Sequence, residues 1–432
     1  MPLTYRQALD ALVASGREVA GMRLGLARID ALMSELDAPH AGLRGVLVAG
    51  TNGKGSVAAM VESACRAAGL TTVMLAKPHL RSYRERFLVD GRQIADEEFA
   101  ERVEELMPAA ERVASGAGRP TQFELLTALG ILVARARRPD VVVCEVGIGG
   151  RLDSTNVLDL GVAAITTVAF DHREVLGDTI AAIASEKAGI LKAGDHVVCG
   201  AGDEALDVVR GRAAEVGAGP VLAIGDGIER RGGSLGLEGV EVEVSCRGWE
   251  VAARVPLPGA FQVDNAAVAV GVCRSLAERG HALEAGDVAR GLARVSWLGR
   301  LQWIAGSPPI LVDGAHNGAA IAAIVPAVRE IAGDRDVIAL VGVMADKDVD
   351  DIFTALRPLD ATMVFTQAGN PRAARSTELA RGWGAGARAI ASLPDALAAA
   401  RMLARDTGIV LVAGSIYLAG DVLALLDAGV PD

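Results

Sequence analysis

Residues 46–56 have the sequence VLVAGTNGKGS, which combines an apolar run, a glycine-rich turn, a lysine and a serine. The run 46–49 predicts a buried strand, and the small and apolar residues of 55–68 predict a helix after the turn. Glycines let backbone N–H groups surround phosphate oxygens, the helix N-terminus adds partial positive charge, and Lys54 supplies a full charge. The pattern is GxxGKGS rather than the more usual GxxxxGK followed by Ser or Thr, so a plain glycine-rich turn is the alternative. Because Lys54 and Ser56 are both in place, we predict a phosphate-binding loop between a strand and a helix.

Short apolar runs alternate with longer helical patterns beyond this loop. The runs 73–76, 140–146 and 163–168 are continuous, as expected for strands buried on both faces of a parallel sheet. Such alternation implies βαβ units, so we predict an α/β protein whose parallel sheet is covered by helices. The glycine-rich stretch 225–255 instead has a period of two, which predicts antiparallel hairpins at the edge of the first domain.

A second βαβ series follows residues 297–300, and we predict a domain boundary there, with domains 1–297 and 298–432. The predicted strands of this series are 309–313, 337–342, 362–366, 388–391 and 409–412. The predicted helices between them are 319–331, 349–356, 377–381 and 394–404.

Composition excludes several classes of protein. With 432 residues, 51% of them hydrophobic and 22% charged, the chain is expected to fold into two or three domains rather than to be disordered. A net charge of −11 argues against generic binding to nucleic acid or anionic membranes. No apolar run reaches the roughly 20 residues of a membrane helix, and the N-terminus lacks a signal-peptide pattern. Five scattered cysteines without a CxxC pair favour a reduced cytoplasm, with the thiols as small core residues.

The segment 144–156, CEVGIGGRLDSTN, follows the predicted strand 140–146 and places Glu145 at its carboxyl end. Open α/β sheets bind ligands at that end of their strands. A carboxylate there suits Mg²⁺, which takes oxygen ligands and needs few from the protein when phosphates supply the rest. Arg151 and Asp153 follow on a glycine-rich loop. The alternative is a turn that carries only a surface ion pair.

The segment 170–177, FDHREVLG, places His172 after another predicted strand. This histidine either binds a metal or merely caps the end of the strand, since a lone histidine is usually structural. Lys187 follows in the helical stretch 183–192, IASEKAGILK. Most lysines on helices are solvated, so a solvated side chain is the alternative to a role at the site.

Polar residues also follow strands of the second βαβ series. The segment 313–317, DGAHN, ends the first of these strands, and 346–348, DKD, follows the next long one. Such residues face a common crevice at the carboxyl edge of a sheet. Arg300 lies at the predicted hinge, from which an arginine reaches a nucleotide only when two domains close. Together with Lys54, Arg151 and Lys187, Arg300 indicates a locally basic pocket that suits ATP and a second anionic substrate.

Taken in order along the chain, these motifs resemble the folylpolyglutamate synthase/dihydrofolate synthase family of the Mur ligase superfamily. The resemblance runs from LGLARI (24–29) to GSIYLAGDV (414–422), which is essentially the whole chain. Each motif alone is weakly specific, whereas ten in order are highly specific. The matching segments are GTNGKGS (50–56), PHL (78–80), FE (123–124), EVGIGGRLDSTN (145–156), DH (171–172) with LG (176–177), EKAGI (186–190), Gln262 with Asn265, GR (299–300), DGAHN (313–317) and DKD (346–348).

The resemblance implies an α/β fold with a Mur-ligase-type P-loop ATPase domain, which carries a small antiparallel edge sheet, and a smaller Rossmann-like C-terminal domain, with the active site between them. It implies ATP-dependent amide formation, in which the carboxylate of dihydropteroate or of a reduced folate such as tetrahydrofolate attacks the γ-phosphate and gives an acyl phosphate. The amine of L-glutamate then displaces phosphate. It also implies a cytoplasmic enzyme, expected to be a monomer, whose partners are ATP, L-glutamate and a pterin-containing acid, with no nucleic acid or membrane partner.

The resemblance also implies roles for individual residues. ATP is expected at Thr51, Asn52, Gly53, Lys54, Gly55, Ser56, Asn265, Arg300, Asp313 and His316. Two Mg²⁺ ions are expected, with ligands drawn from Ser56, Glu145, His172 and Lys187, the last as a carbamate. The catalytic set is Lys54, Glu145, His172 and Lys187. The acceptor acid is expected at Phe123, Glu124, Arg151, Asp153, Ser154 and Thr155.

Lys77 departs from the family pattern, because members usually have a serine before PHL that ligates the first Mg²⁺. An ammonium has no lone pair and repels a dication. Either Lys77 replaces part of the charge of that metal, or the loop is rearranged and Ser56 and Glu145 hold Mg²⁺ without it.

Two other functions stay open at this point, and both are motivated by Lys77. The first is a paralogous Mur-type amide ligase that joins a different acid and amino acid. The second is a nucleotide-binding protein without ligase activity. Lys54, Glu145, His172 and Lys187 argue against the second, since a binding module has no need of all four.

Overall fold

The computed structural model describes residues 2–14 and 25–428. Leu24, with which the matching segment LGLARI begins, lies outside the described residues. Within them, no helix is long and apolar enough to cross a membrane. The five cysteines are all free and buried, which confirms the prediction that they are small core residues.

The described residues form two sheets. The strands of the first are β1 (Gly45–Ala49), β2 (Thr72–Leu75), β3 (Phe87–Val89), β4 (Arg92–Gln93), β5 (Val141–Glu145), β6 (Gly161–Ile165), β7 (His196–Cys199), β8 (Val221–Ile224), β9 (Gly227–Ser234), β10 (Val240–Cys246) and β11 (Trp249–Val255). Those of the second are β12 (Gln302–Ile304), β13 (Ile310–Val312), β14 (Val337–Val341), β15 (Thr362–Phe365), β16 (Arg388–Ala389) and β17 (Ile409–Ala413).

Helices connect most of these strands. In chain order they are α1 (Tyr5–Val13), α2 (Ala27–Glu35), α3 (Lys54–Ala67), α4 (Asp96–Ala114), α5 (Gln122–Arg137), α6 (Arg173–Leu176), α7 (Ile180–Ala188), α8 (Asp203–Val216), α9 (Gln262–Glu278), α10 (Ala285–Leu292), α11 (Gly318–Ala332), α12 (Val349–Leu356), α13 (Ser376–Trp383), α14 (Leu393–Ala404) and α15 (Ile416–Ala428). Short 3-10 turns lie at Tyr83–Arg86, Ser154–Val157, Gly236–Glu238 and Arg357–Leu359.

The centre of the first sheet is parallel. Its spatial order is β11-β10-β9-β8-β7-β6-β1-β5-β2-β3-β4, and β1 pairs in parallel with both β5 and β6. Every residue of these three strands is buried, as continuous apolar runs require when helices cover both faces of a sheet. The predicted parallel sheet is therefore confirmed. Strand β6 ends at Ile165, three residues before the predicted end, because the two threonines that follow bind a neighbouring loop.

The two edges of the first sheet differ from its parallel centre. At one edge, β10 and β11 are joined by the two residues Arg247 and Gly248, whose φ values of 43° and 80° suit the tight turn of an antiparallel hairpin. Alternate residues of β10 are buried, which is the period of two that the sequence predicts. At the other edge, β3 pairs antiparallel with β2 and with β4. These strands of two and three residues are too short for a periodic pattern, and the sequence analysis did not find them.

The described chain divides into two compact units. The first contains residues 2–14, 25–231, 243–253 and 264–294, and the second contains 232–242, 254–263 and 295–428. The predicted boundary at residue 298 stays a prediction.

The second sheet has the order β12-β13-β17-β14-β15-β16, and its last five strands are mutually parallel. Helices α11 to α14 and these parallel strands confirm the predicted Rossmann-like arrangement. Strand β12 pairs antiparallel with β13, so the segment 313–317 follows the second strand of this sheet in the chain rather than the first. Phe353, Phe365 and Trp383 form an aromatic cluster on this sheet, with ring centroids 5.3–6.1 Å apart.

Candidate active site

The loop 50–53 connects the central strand β1 to helix α3. Gly50 and Gly53 have φ values of 146° and 85°, which disfavour residues with a side chain. A Cβ atom at Gly50 would lie 1.9 Å from Thr166 Oγ1, and one at Gly53 would lie 2.4 Å from Asn265 Oδ1. No side chain caps the start of α3. The predicted strand–loop–helix is confirmed, and its helix N-terminus has the features of an anion site.

Residues 166–169, after β6, hold this loop in place. The N–H of Thr51 donates to the Thr167 carbonyl at 2.7 Å, and the N–H of Asn52 donates to Thr167 Oγ1 at 3.0 Å. In the other direction, Thr166 Oγ1 donates to the Asn52 carbonyl at 2.6 Å. Neither threonine was predicted from the sequence as a site residue. The feature of the sequence that could have indicated them is a pair of polar residues directly after the apolar run of β6.

Two lysines lie close to the loop. The Nζ of Lys54 donates to the carbonyls of Gly50 and Thr51 at 2.9 and 3.0 Å. Lys187 lies on α7 with 3% exposure, so the alternative of a solvated lysine is wrong. Burial, and to a smaller extent the charge of Lys54, lower the pKa of Lys187 to about 7, against the opposing effect of Asp171. Helix α7 ends at Ala188 and does not extend over the whole predicted stretch to residue 192.

Glu145 and His172 lie at the carboxyl edge of the same sheet. Glu145 is the last residue of β5, is buried, and its Oε2 accepts the backbone N–H of Lys77 at 3.0 Å. His172 immediately precedes α6 with a left-handed φ of 50°. Six residues separate it from the end of β6, so it does not directly follow the strand, and its role stays a prediction. The Asp171 carboxylate accepts the N–H of His172 at 2.9 Å and supports the turn.

Side chains at this edge could supply only some of the ligands of a divalent cation. Among the described residues, no group of three or more His, Cys, Asp and Glu side chains is placed to hold a metal ion. Mg²⁺ commonly takes one or two protein ligands and completes its shell with phosphate oxygens and water. A site of this kind at His172 and a carbamate on Lys187 stays a prediction. The position beside Lys77 does not fit, because its ammonium repels a dication and has no lone pair to donate.

Asp153 organises the loop that follows β5. Its Oδ2 accepts the N–H groups of Gly147 and Ile148 at 3.1 and 3.0 Å. Its Oδ1 accepts the N–H and the hydroxyl of Thr155 at 3.0 and 2.6 Å. The hydroxyl of the neighbouring Ser154 forms a hydrogen bond of 2.7 Å with the hydroxyl of Thr127, and both residues are buried. The structure therefore brings Asp153, Ser154 and Thr155 together as a rigid turn, and their contact with a substrate stays a prediction.

We expect Asp153→Ala to lower the free energy of unfolding by about 3 kcal/mol or more, because several buried donors lose their acceptor. Urea denaturation followed by circular dichroism measures this change. Asp178→Ala is the matched control, since that carboxylate is 76% exposed and accepts one bond from Arg173. The control should change stability by less than about 0.5 kcal/mol. Equally small changes in both variants would show that Asp153 does not hold the loop.

Phe123 and Glu124 lie in the first turn of helix α5. The Phe123 ring packs against Gly147, where a Cβ atom would lie 2.5 Å from the ring. Glu124 is buried and accepts the N–H of Thr121 at 2.7 Å, which caps the helix. It also forms an ion pair of 2.9 Å with Arg28, a residue that the sequence analysis did not single out. The Glu124 carboxylate thus has a structural task, and its predicted contact with the acceptor acid is not tested by these contacts.

Arg151 links the loop after β5 to helix α7. Its N–H donates to the Glu186 carbonyl at 2.8 Å, and its guanidinium pairs with the Glu186 carboxylate at 2.7 Å. The side chain is 54% exposed, so this pair contributes little stability. Arg151 therefore matches the alternative of a turn with a surface ion pair. Glu145 and Asp153 on the same segment do not match it, because both are buried.

In the second unit, Asp313 organises the predicted nucleotide contacts. Its carboxylate accepts the N–H groups of Leu301 and Ala315 at 2.8 and 2.7 Å. Burial raises the pKa of Asp313, while Arg300 and these two N–H groups oppose the shift. His316 Nδ1 lies 2.9 Å from the Gly314 carbonyl. The structure therefore brings Arg300, Asp313 and His316 into one group, and their contact with a nucleotide stays a prediction.

Comparison with known proteins places the chain in a family. The Mur ligase middle domain matches residues 48–273, and the Mur ligase, glutamate ligase domain matches residues 299–416. A dihydrofolate synthase/folylpolyglutamate synthase from Bacillus subtilis is 31% identical over 416 residues, which cover 94% of this chain and 96% of the relative. The chain belongs to the folylpolyglutamate synthase/dihydrofolate synthase family of Mur ligases.

Solved structures and other relatives of this chain support its membership of this Mur ligase family. A folylpolyglutamate synthase from Mycobacterium tuberculosis, complexed with ADP, has a TM-score of 0.91 and 30% identity, and the match covers 99% of this chain and 98% of that one. A probable bifunctional folylpolyglutamate synthase/dihydropteroate synthase from Halobacterium salinarum is 37% identical over 89% of this chain. The match covers 47% of that relative, so the chain spans about half its length. The family and the fold class that the motifs predict are confirmed.

Proposed function

We propose that this Mur ligase family member is an ATP-dependent ligase that joins L-glutamate to the carboxylate of dihydropteroate, of tetrahydrofolate, or of both. The observation that carries the proposal is Lys187, which is buried beside the charge of Lys54 and opposite Asp171. A protein that only bound nucleotide would gain nothing from burying a second lysine there, since burial of a charge costs free energy. The relatives' names and the complex of one relative with ADP support the same reaction class.

The reaction divides into two steps. The acceptor carboxylate attacks the γ-phosphorus of ATP, ADP leaves, and an acyl phosphate forms. The neutral amine of L-glutamate then attacks the acyl carbon, phosphate leaves, and the amine loses a proton as the amide forms. Transfer of the phosphoryl group converts a poor leaving group into a good one, so the protein contributes positioning and charge neutralisation.

The residues of the loop supply that neutralisation in the proposal. Lys54 exchanges its bonds to the carbonyls of Gly50 and Thr51 for phosphate oxygens, and the N–H groups of Gly53 and Gly55 with the Ser56 hydroxyl surround them. Asn265 packs against Gly53 and limits where the phosphates lie. When bound, Mg²⁺ offsets the negative charge of the transferred phosphoryl group.

Lys187 is proposed to react with CO₂ through its neutral amine, which loses a proton and becomes an oxygen-donor carbamate. The pKa of about 7 leaves a substantial neutral fraction of this amine near neutral pH, which the reaction requires. An unmodified ammonium has no lone pair for a metal, whereas a carbamate has oxygen ligands. The cytoplasmic location and the monomeric state stay predictions.

Mass spectrometry of reaction products tests the proposal. The protein, MgATP and L-glutamate are incubated separately with dihydropteroate and with tetrahydrofolate, and Lys54→Met is the matched inactive control. With the wild-type protein, we expect one acceptor or both to gain the mass of a glutamyl residue. With Lys54→Met, we expect no gain. No glutamate adduct in either tube would reject the proposed acceptors.

The position of Lys77 favours one second candidate, a Mur-type ligase with a different acid. Its ammonium lies 4.4 Å from the centroid of the Phe123 ring, in the region where the acceptor is expected. ATP turnover with other carboxylic acids, and none with either folate acceptor, would support this candidate. Absence of phosphate transfer with every acid would instead indicate a nucleotide-binding protein without ligase activity.

A further inference from the structure

The side chain of Lys77 is unusual among the described residues. Its backbone N–H donates to Glu145 Oε2 at 3.0 Å, so the residue lies directly beside a buried carboxylate. Its Nζ atom is buried and has no hydrogen-bond partner in the described part of the chain. This ammonium lies over the face of the Phe123 ring, with Nζ 4.4 Å from the ring centroid.

Burial of an ammonium that forms no hydrogen bond with an anion costs free energy. The desolvation of a charge exceeds what a single cation–π contact returns, so the Phe123 ring alone does not account for this arrangement. Natural proteins rarely bury lysine unless it is paired. The ammonium of Lys77 is therefore placed for an anion that arrives with a ligand.

The sheet indicates which anion that is. Leu75 of β2 lies opposite Cys144 of β5, and Val48 of β1 lies opposite Glu145. Lys77, Glu145 and the phosphate loop after β1 therefore leave the same carboxyl edge of three adjacent parallel strands. Ligands of open α/β sheets bind at that edge. The loop is built for phosphate, so a nucleotide bound there would bring negative charge to the edge from which Lys77 also leaves.

We propose that Lys77 is a built-in cation of the nucleotide site, whose ammonium takes the charge-neutralising place of one divalent ion beside Glu145. A chain with lysine at this position then binds one divalent ion fewer with nucleotide than the same chain with serine, because serine offers an oxygen ligand and removes the repulsion. This inference rests on the proposed nucleotide site.

The number of bound divalent ions tests the inference. Free Mn²⁺ is measured by electron paramagnetic resonance while Mn²⁺ is titrated into protein saturated with the non-hydrolysable ATP analogue AMPPCP in bicarbonate buffer. We expect Lys77→Ser to bind one Mn²⁺ more per chain than the wild type. The matched control is Lys192→Ser, a lysine of the same unit that donates to Asn156 Oδ1 at 2.8 Å, and it should keep the wild-type number. Equal numbers in wild type and Lys77→Ser, with AMPPCP still bound, would overturn the inference.

A second variant separates charge from metal binding. Lys77→Met keeps the length of the side chain and removes the charge without adding an oxygen ligand. We expect it to keep the wild-type number of Mn²⁺ ions and to bind AMPPCP at least about tenfold more weakly, as expected for a lost charged hydrogen bond. Unchanged affinity in this variant would show that the ammonium does not face the phosphates. A wild type that bound no AMPPCP at all would instead reject the proposed nucleotide site.

Discussion

We expect Lys187→Ala to lower kcat by about 10³-fold with the fold retained, the effect of losing one preorganised electrostatic group in an active site. Lys187 is buried beside Lys54, and its pKa of about 7 makes the neutral amine available for carbamate formation. Lys187→Arg should lose as much activity as the alanine variant, because a guanidinium stays charged and forms no carbamate. Glutamate addition measured by mass spectrometry gives both rates.

Two further measurements decide whether the carbamate is the cause. Short carboxylates such as acetate should partly restore activity to Lys187→Ala, since they supply the missing oxygen ligands. Carbon-13 NMR with labelled bicarbonate should show a carbamate in the wild type and none in Lys187→Ala. Its signal should grow as pH rises through about 7, because the protonated amine that dominates below the folded pKa does not react with CO₂.

The control for loss of a lysine with a lowered pKa is Lys192→Ala. Burial also lowers the pKa of Lys192, but its Nζ already donates to Asn156 and to the Ile190 carbonyl. We expect its kcat to stay within about twofold of the wild type, as for a substitution outside the reacting groups. Full activity of Lys187→Ala would remove the carbamate from the proposal.

The second large effect is expected for Gly53→Ala, which should weaken nucleotide binding by about a hundredfold, the loss of two charged hydrogen bonds. Gly53 is the N-cap of α3 with a φ of 85°, and a Cβ atom there would lie 2.4 Å from Asn265 Oδ1. Either the loop or the Asn265 amide must move, and both are predicted to contact the phosphates. Calorimetric titration with AMPPCP measures the affinity.

Gly217→Ala is a matched control for backbone strain. Gly217 ends α8 with a similar φ of 72°, but a Cβ atom there meets nothing within 4 Å. Both variants should therefore lose about 1 kcal/mol of stability to the left-handed backbone. We expect only Gly53→Ala to lose nucleotide affinity. If both variants bound AMPPCP as tightly as the wild type, the loop 50–53 would not be the phosphate site.

Local patterns predicted the elements that place the site. The run 46–49, the glycine turn and Lys54 predicted β1, the loop and the start of α3 because these features lie within a dozen residues of sequence. The continuous run 140–146 placed Glu145 at the end of β5 for the same reason. Strands β3 and β4 were missed, because two or three residues carry no measurable period, and these strands form only by pairing, β3 with β2 and β4 with β3.

Side-chain surroundings could not be predicted in the same way. The helix that carries Lys187 has both buried and partly exposed positions, and whether Lys187 is buried depends on what packs over α7. Arg28 and Glu124 are 96 residues apart in the chain, so no local pattern announces their ion pair. The pairing of Thr166 and Thr167 with the phosphate loop spans more than 110 residues in the same way.

The sequence by itself determined the α/β class, the family and the order of the motifs, since these depend on residue types at fixed spacing. It also showed that Lys77 occupies an unusual position, but left open what the side chain does. Only the tertiary structure decided that Lys187 is buried, that Asp153 binds four groups of its own loop, and that the Lys77 ammonium lies buried against Phe123. The reason is physical: burial, desolvation and hydrogen-bond partners are properties of groups that meet across the folded chain, and spacing along the sequence does not specify them.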